Sequence, residues 1–226
     1  MHKQEIRELI CSMLLGDGYL RISETKGHTS GSFWIEHSQA QYDYLIWKKA
    51  LIDKAFSNKN LSRECKLYKR ERLDKRTSKI YYSCSLCLNW RNYLSFIHMK
   101  AYKHNNKGKN VEWLLSNISS DKHFAIWFMD DGSESRTKAK HITGEIYFKN
   151  PYFRLAGYSF TLGECQLIKQ RFEQQYRVSP SINTYKHGPI LQFSVADSRK
   201  LFPHFRPYIV QIESMKLKFR LCLERY

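Results

Sequence analysis

The chain has 226 residues, and 38 Lys and Arg against 21 Asp and Glu leave it a formal charge of +17. So basic a chain repels cations and attracts polyanions, which excludes an acidic buffer, a calcium store or an enzyme of cationic substrates and puts nucleic acid first among partners. At 42% hydrophobic and 15% aromatic it can build a packed core, so the charge sits on a folded body and not on a disordered tail.

Every apolar run is broken by charge well short of the roughly 18 to 20 residues that a spanning helix needs, so no membrane role is expected. The N-terminus passes straight into an amphipathic pattern without a signal core, which predicts an intracellular protein that is not secreted. The six cysteines are then expected to be reduced thiols. Cys84 and Cys87 form a CxxC, but no second pair stands at zinc spacing and the surrounding residues 80–88 read as a strand. No Pro/Gly/Ser-rich linker interrupts the chain, so one compact monomeric unit is expected.

In chain order, Ile6, Leu9, Ile10, Met13 and Leu14 predict a helix over 4–16 that stops at Gly16-Asp17-Gly18. Residues 32–37 read as a strand, 40–55 as a helix, and 61–73 with 78–88 as paired strands before closing helices. The pattern then repeats. Phe124, Ile126, Trp127, Phe128 and Met129 predict a helix over 121–131 running into Asp130-Asp131-Gly132. Strands at 144–148 and 153–158, a helix at 162–176, paired strands at 179–186 and 189–195, and closing helices follow. Gly18 and Gly132 lie 114 residues apart, Leu45-Ile46 resembles Leu167-Ile168, and Ser85 and Ser194 lie 109 apart. These spacings predict an α+β protein of two αββαββα repeats, 1–115 and 116–226, with pseudo-twofold symmetry.

An acid at a helix C-terminus stands where the helix dipole is already negative. An Asp-Gly there can be a simple turn, with glycine as a left-handed cap. Two of them in matching places predict a second outcome: packing the helices about a twofold, with Ser12, Gly16 and Ala125 on the shared face, would bring Asp17 and Asp131 together. Converging carboxylates share a proton or bind a cation, and oxygen ligands select hard ions such as Mg²⁺.

Residues 10–18 (ICSMLLGDG) and 124–132 (FAIWFMDDG) resemble the two motifs of single-chain LAGLIDADG homing endonucleases. The element order and the closing residues 207–219 are similar to the branch of the mitochondrial omega-intron endonuclease, so the resemblance covers about residues 4 to 220. It implies two antiparallel sheets forming a DNA-binding saddle. It also implies a site-specific endonuclease that breaks one phosphodiester on each strand of a long duplex target with Mg²⁺. Mn²⁺ would substitute, and Ca²⁺ would support binding without cleavage. The resemblance makes Asp17 and Asp131 catalytic metal ligands, joined by the carbonyls of Gly16 and Asp130, and gives each half a basic residue, Lys109 and Lys218, with Lys107 an alternative to the first. Leu15, Cys11 and Ser12 depart from the consensus of the first motif. The same scaffold carries maturases acting on group I intron RNA and non-catalytic DNA-binding proteins; acids retained in both motifs favour the nuclease. Family habit implies an organelle or a microbial cytoplasm.

Affinity is expected from the sheets. Residues 59–79 hold nine Lys and Arg, among them Lys59 and Arg63, against three acids. Alternation on paired strands predicts a basic face toward DNA, with Lys66, Tyr68, Lys69, Arg70, Arg72, Lys75, Arg76 and Lys79 joined by Arg21 and Trp34. In the second half the corresponding residues are Arg136, Lys138, Lys140, Lys149, Arg154, Tyr185, Lys186, His187 and Gln192. His28, His37 and His141 are expected near DNA or solvent, since no histidine spacing matches a His-based nuclease.

Overall fold

A computed structural model describes residues 2–25, 28–57, 65–76, 78–89, 91–103 and 108–226. The first half runs α1 (His2–Leu15), β1 (Tyr19–Thr25), β2 (His28–Ser38), a single 3-10 turn, α2 (Tyr42–Ser57), β3 (Lys66–Asp74), β4 (Lys79–Asn89), α3 (Arg91–Ala101) and α4 (Val111–Ser116). The second runs α5 (Asp121–Asp131), β5 (Gly132–Ser135), β6 (Lys138–Lys140), β7 (Ile146–Phe148), β8 (Tyr152–Ala156), α6 (Leu162–Tyr176), β9 (Ser181–Tyr185), β10 (Gly188–Gln192), α7 (Val195–Ile209), α8 (Glu213–Lys218) and α9 (Arg220–Arg225).

Two four-stranded antiparallel sheets carry the same topology, β1-β2-β4-β3 and β5-β8-β10-β9. The α+β reading with a duplicated order therefore holds. β1 and β5 each follow the acid-glycine ends, and sequence reading missed both: β5 has only four residues, whereas β1 has seven and alternates Leu20 and Ile22 with Arg21 and Ser23. One expected strand moves: residues 146–148 pair with β6 in a separate hairpin, where every residue of β7 is exposed, instead of joining the second sheet.

The sheet registers also correct two of the repeat equivalences. Phe33 and Ile35 face Leu88 and Leu86 in one core, as Leu155 faces Leu191 in the other and Phe193 donates its N–H to the Phe153 carbonyl. Leu86 thus matches Leu191, whereas Ser194 caps α7 and has no counterpart in Ser85. Likewise Leu45 is fully buried and Leu167 is 37% exposed. The buried rows that match are Leu45, Lys48, Ile52 and Phe56 on α2 with Cys165, Ile168, Phe172 and Tyr176 on α6, in register with helix starts at Tyr42 and Leu162.

The core is continuous across the halves because α1 packs directly on α5. All five apolar positions predicted for α1 are buried, as are residues 123–129 of α5. An α5 buried all round is the centre of the molecule. Phe128 anchors an aromatic cluster with Phe153, Phe193, Phe205 and Phe219. All six cysteines are buried free thiols, and Cys84 and Cys87, three apart on β4, lie on opposite faces of the sheet. No described helix is long and apolar enough to cross a membrane.

Candidate active site and nucleic-acid interface

The site forms where α1 and α5 end side by side. Gly16 is buried against Asp130; a Cβ there would stand 2.4 Å from Asp130 Oδ2, so only glycine admits this approach. Gly18 and Gly132 are also required by proximity and not by a left-handed turn, which corrects the simple cap. Gly132 is extended, and added Cβ atoms would meet the carbonyl oxygens of Met13 at 2.6 Å and Phe128 at 2.3 Å.

This junction brings Asp17, Asp130 and Asp131 together with Lys109 and Lys218. Lys109 Nζ donates to the Gly16 carbonyl at 2.8 Å, and Lys218 Nζ donates to the carbonyls of Asp130 at 2.8 Å and Met129 at 2.7 Å. Each lysine therefore tops the helix end of its own half. Lys107 lies outside the described residues.

Local structure explains how each lysine arrives. Tyr102 and Lys109 form a bridge, the Lys103 N–H bonds to the Gly108 carbonyl, and Gly108 has φ +114°, a conformation that a side chain resists. Asn110 then caps α4 by accepting from the Trp113 N–H. Lys218 ends α8, a short helix whose own N-cap residue, Ile212, supplies no side-chain hydrogen bond. Asp43 of α2 does so instead, accepting from the Ser214 N–H at 2.8 Å. Burial raises the Asp43 pKa, but hydrogen bonds from Ser214 and Tyr44 outweigh it and hold the carboxyl below its ordinary value. Glu134 serves α9 in the same way, accepting from the N–H groups of Leu221 and Cys222.

Burial, followed by repulsion from Asp130 and Asp17, pushes Asp131 up to about 7, with Lys109 opposing. The Asp17 side chain, 43% exposed, is also raised by desolvation and by Asp130, against Lys48, Lys218 and Lys109. Burial lowers both Lys109 and Lys218, and the carboxylates oppose it. The expected pair of acids without countercharge is thus three acids interleaved with half-buried ammonium groups.

Two residues that sequence reading did not place here complete the site. Asp130 was expected to act through its carbonyl, yet its carboxylate is fully buried and accepts from Lys48 Nζ at 2.5 Å and from the Asp17 N–H at 3.3 Å. Lys48, fully buried on α2, also lies 4.2 Å from the Tyr44 ring centroid and 3.0 Å from His37 Nε2. His37 is not near solvent: it is 6% exposed, with Nδ1 3.5 Å from Asp17 Oδ2 and Nε2 3.8 Å from Asp130 Oδ1. Burial and then Lys48 depress its pKa to about 3, so the ring is neutral. Lysine only donates, so Nε2 accepts and the ring proton is assigned to Nδ1, facing Asp17. The sequence held a signal for Lys48, because it sits four residues from both Tyr44 and Ile52 on the apolar stripe.

The β-sheet register sorts the expected binding residues. Cross-strand partners share a face, so Arg21, Trp34, Lys66, Tyr68, Arg70, Arg72 and Lys79 lie on the face opposite Phe33, Ile35 and His37. The Trp34 ring is a hub, stacked on Tyr68 at 5.9 Å and flanked by the guanidinium groups of Arg21 at 4.9 Å and Arg70 at 5.8 Å. Lys69 is a correction: its alternate position sends it to the helix side, with Nζ 4.8 Å from the Tyr42 ring centroid. Lys75 and Arg76 lie exposed in the β3-β4 turn, while Lys59 and Arg63 fall outside the described residues.

In the second sheet, Arg154, Gln192 and Tyr185 share the corresponding face. Arg154 repeats the arrangement of Arg21, since each guanidinium bonds the hydroxyl of a tyrosine two residues earlier, Tyr152 or Tyr19. Lys186 and His187 form the exposed β9-β10 turn. Arg136, Lys138, Lys140 and Lys149 belong to the β6-β7 hairpin region, with Arg136 3.9 Å over the Phe148 ring. His141 lies against Tyr147 in that hairpin, their ring centroids 4.2 Å apart and tilted by 31°, and the His28 side chain lies outside the described residues.

Paired acidic helix ends and two duplicated sheets define a protein class, and comparison agrees. Residues 7–201 match the model of the LAGLIDADG DNA endonuclease family, and the chain belongs to that family. Among solved structures it resembles the homing endonuclease I-WcaI bound to its DNA recognition sequence, with TM-score 0.70 and 20% identity over 96% of this chain and 86% of that one. A variant of I-DmoI in complex with its target DNA and in the presence of Mn gives TM-score 0.54 and 13% identity, covering 90% and 94%. I-SmaMI bound to uncleaved DNA in the presence of calcium ions gives 0.55 and 11%, covering 96% and 89%. No curated protein matches the chain in sequence comparison.

Proposed function

We propose that this protein is a monomeric, site-specific endonuclease that hydrolyses one phosphodiester on each strand of a long duplex target. The observation that carries the reading is the convergence of Asp17 and Asp131, each with a half-buried lysine on the adjoining helix end, beneath two sheets with arginine-bearing faces. One chain already supplies both acids, so it needs no second copy to cut two strands.

The residues present fit a divalent ion. Asp17 and Asp131 are each raised by burial and then by repulsion from Asp130, the electrostatic condition that a hard cation relieves. Their carboxylates, with the carbonyls of Gly16 and Asp130, would hold Mg²⁺; Mn²⁺ would substitute, and Ca²⁺ would support binding alone. I-DmoI was solved with Mn and I-SmaMI with calcium, which supports a divalent ion of this kind. When bound, it supplies Lewis-acid polarisation of the phosphate and activation of the attacking water. Lys109 and Lys218, half-buried and held on carbonyl oxygens, offset charge developing on the phosphoryl oxygens. Arg21, Trp34, Arg70 and Arg154 hold the duplex, with aromatic neighbours limiting the side-chain freedom lost on binding.

Selection of cleaved sites from a randomised duplex library with Mg²⁺ tests this reading, with one enriched long site expected. Asp17→Asn and Asp131→Asn should each abolish cleavage while retaining binding to that site in Ca²⁺. An Asn variant that still cuts, or a library with no enriched site, would overturn it, and binding of structured RNA in its place would point to intron splicing.

A further inference from the structure

Among the described residues, Asp17, His37 and Asp130 each offer a donor atom within 4.8 Å of the other two, the spacing of a metal triad. Two of these donors, Asp130 and His37, already hold an ammonium. Lys48 Nζ lies 2.5 Å from Asp130 Oδ1 and 3.0 Å from His37 Nε2, with the Tyr44 ring beneath it.

We propose that Lys48 is a built-in cation, a positioning residue that occupies the Asp17–His37–Asp130 triad in place of an ion and fixes the first catalytic acid. This rests on the endonuclease reading for the role of Asp17. The linkage runs through two contacts. Asp130, anchored by Lys48, accepts the Asp17 N–H through Oδ2, and His37, whose Nε2 accepts from Lys48, faces Asp17 Oδ2 through Nδ1. Backbone and side chain of Asp17 are therefore both referred to one buried ammonium. A nitrogen in the triad would favour Mn²⁺, Co²⁺ or Zn²⁺ over Mg²⁺. A covalently attached ammonium excludes those ions and leaves exchangeable metal to the oxygen donors on the side of Asp131.

The device belongs to one half only. On α6 the row matching Leu45, Lys48 and Ile52 is Cys165, Ile168 and Phe172, so an apolar Ile168 stands at the place of Lys48, and Phe172 packs on Phe124 and Trp127. On β8, Phe153 and Leu155 correspond to Phe33 and Ile35, so Gly157 follows at the place of His37. Asp131 is held without such a clamp, and the pseudo-twofold is broken at the charged level.

Titration with Mn²⁺ alone, read by the electron paramagnetic resonance of free ion, tests the occupancy. Lys48→Met should bind one more Mn²⁺ per chain than the parent, and adding His37→Ala should remove the extra ion. Single-turnover cleavage of the selected site at saturating Mg²⁺ should fall about 10- to 100-fold, the scale of a small misplacement at a reacting centre. Affinity for that site in Ca²⁺ should stay within about twofold. Because Lys48→Met leaves Asp130 buried and unpaired, Lys48→Met/Asp130→Asn removes both charges; it should melt near the parent temperature and still cleave slowly. Equal ion counts in parent and Lys48→Met, or parental cleavage by the double variant, would overturn the proposal. A parent that cuts no DNA refutes the endonuclease reading instead, and the ion count still decides the place of Lys48.

Discussion

Asp131 carries the pH dependence of the site. With its pKa near 7 against an ordinary 3.8, the folded metal-free protein keeps a proton that the unfolded chain releases. Stability from this group is complete below pH 4, declines as pH rises to about 7 and is lost, with no further change, above that. Asp131→Asn should therefore melt higher than the parent at pH 8 in chelator, with the difference closing toward pH 4; thermal denaturation at the two pH values measures it. Ion binding has the opposite trend, since the proton must leave: affinity for Mn²⁺ should weaken about tenfold per unit as pH falls below 7, measured calorimetrically. The two acid-glycine ends were legible from the repeated spacing alone. The buried role of Asp130 was not, because its side chain is defined by Gly16, more than a hundred residues away, and by Lys48 on a third helix.

At the scale of elements, the α1–α5 contact depends on the missing Cβ of Gly16. Gly16→Ala drives a methyl into the Asp130 carboxylate, so the helix ends must separate and the Lys48 ion pair must shift. A loss of about 1 to 3 kcal/mol is expected for such overpacking, measured by denaturant unfolding. The short helices α8 and α9 lack their own side-chain caps and borrow Asp43 and Glu134. Asp43→Ala should cost about 1 kcal/mol, the usual worth of a cap. It should also slow cleavage, because α8 ends in Lys218. Sequence patterning placed α6 at its observed bounds, and in the structure Thr161 and Glu164 close its N-terminus with a capping box. It misjudged residues 144–148, where an apolar run reads as a sheet strand but belongs to an exposed hairpin.

For the whole molecule, the +17 charge becomes useful through which face carries it. Lys66, Arg70 and Arg72 share one face of the first sheet, and Lys69 lies on the other against Tyr42. Binding of duplex DNA measured over a range of salt should show Arg70→Gln flattening the dependence of log affinity on log salt by about one charge, and Lys69→Gln leaving it unchanged. By itself, the sequence determined the duplication, the acidic helix ends, the basic alternation on β3 and the polyanionic character of the partner, because period and charge are local properties. Tertiary structure decided which lysines reach the site, that Lys69 turns away, and that His37, Lys48 and Asp130 form one buried cluster. Those outcomes depend on the crossing of α1, α2 and α5, where residues far apart in the chain exclude water together and only paired charges can remain.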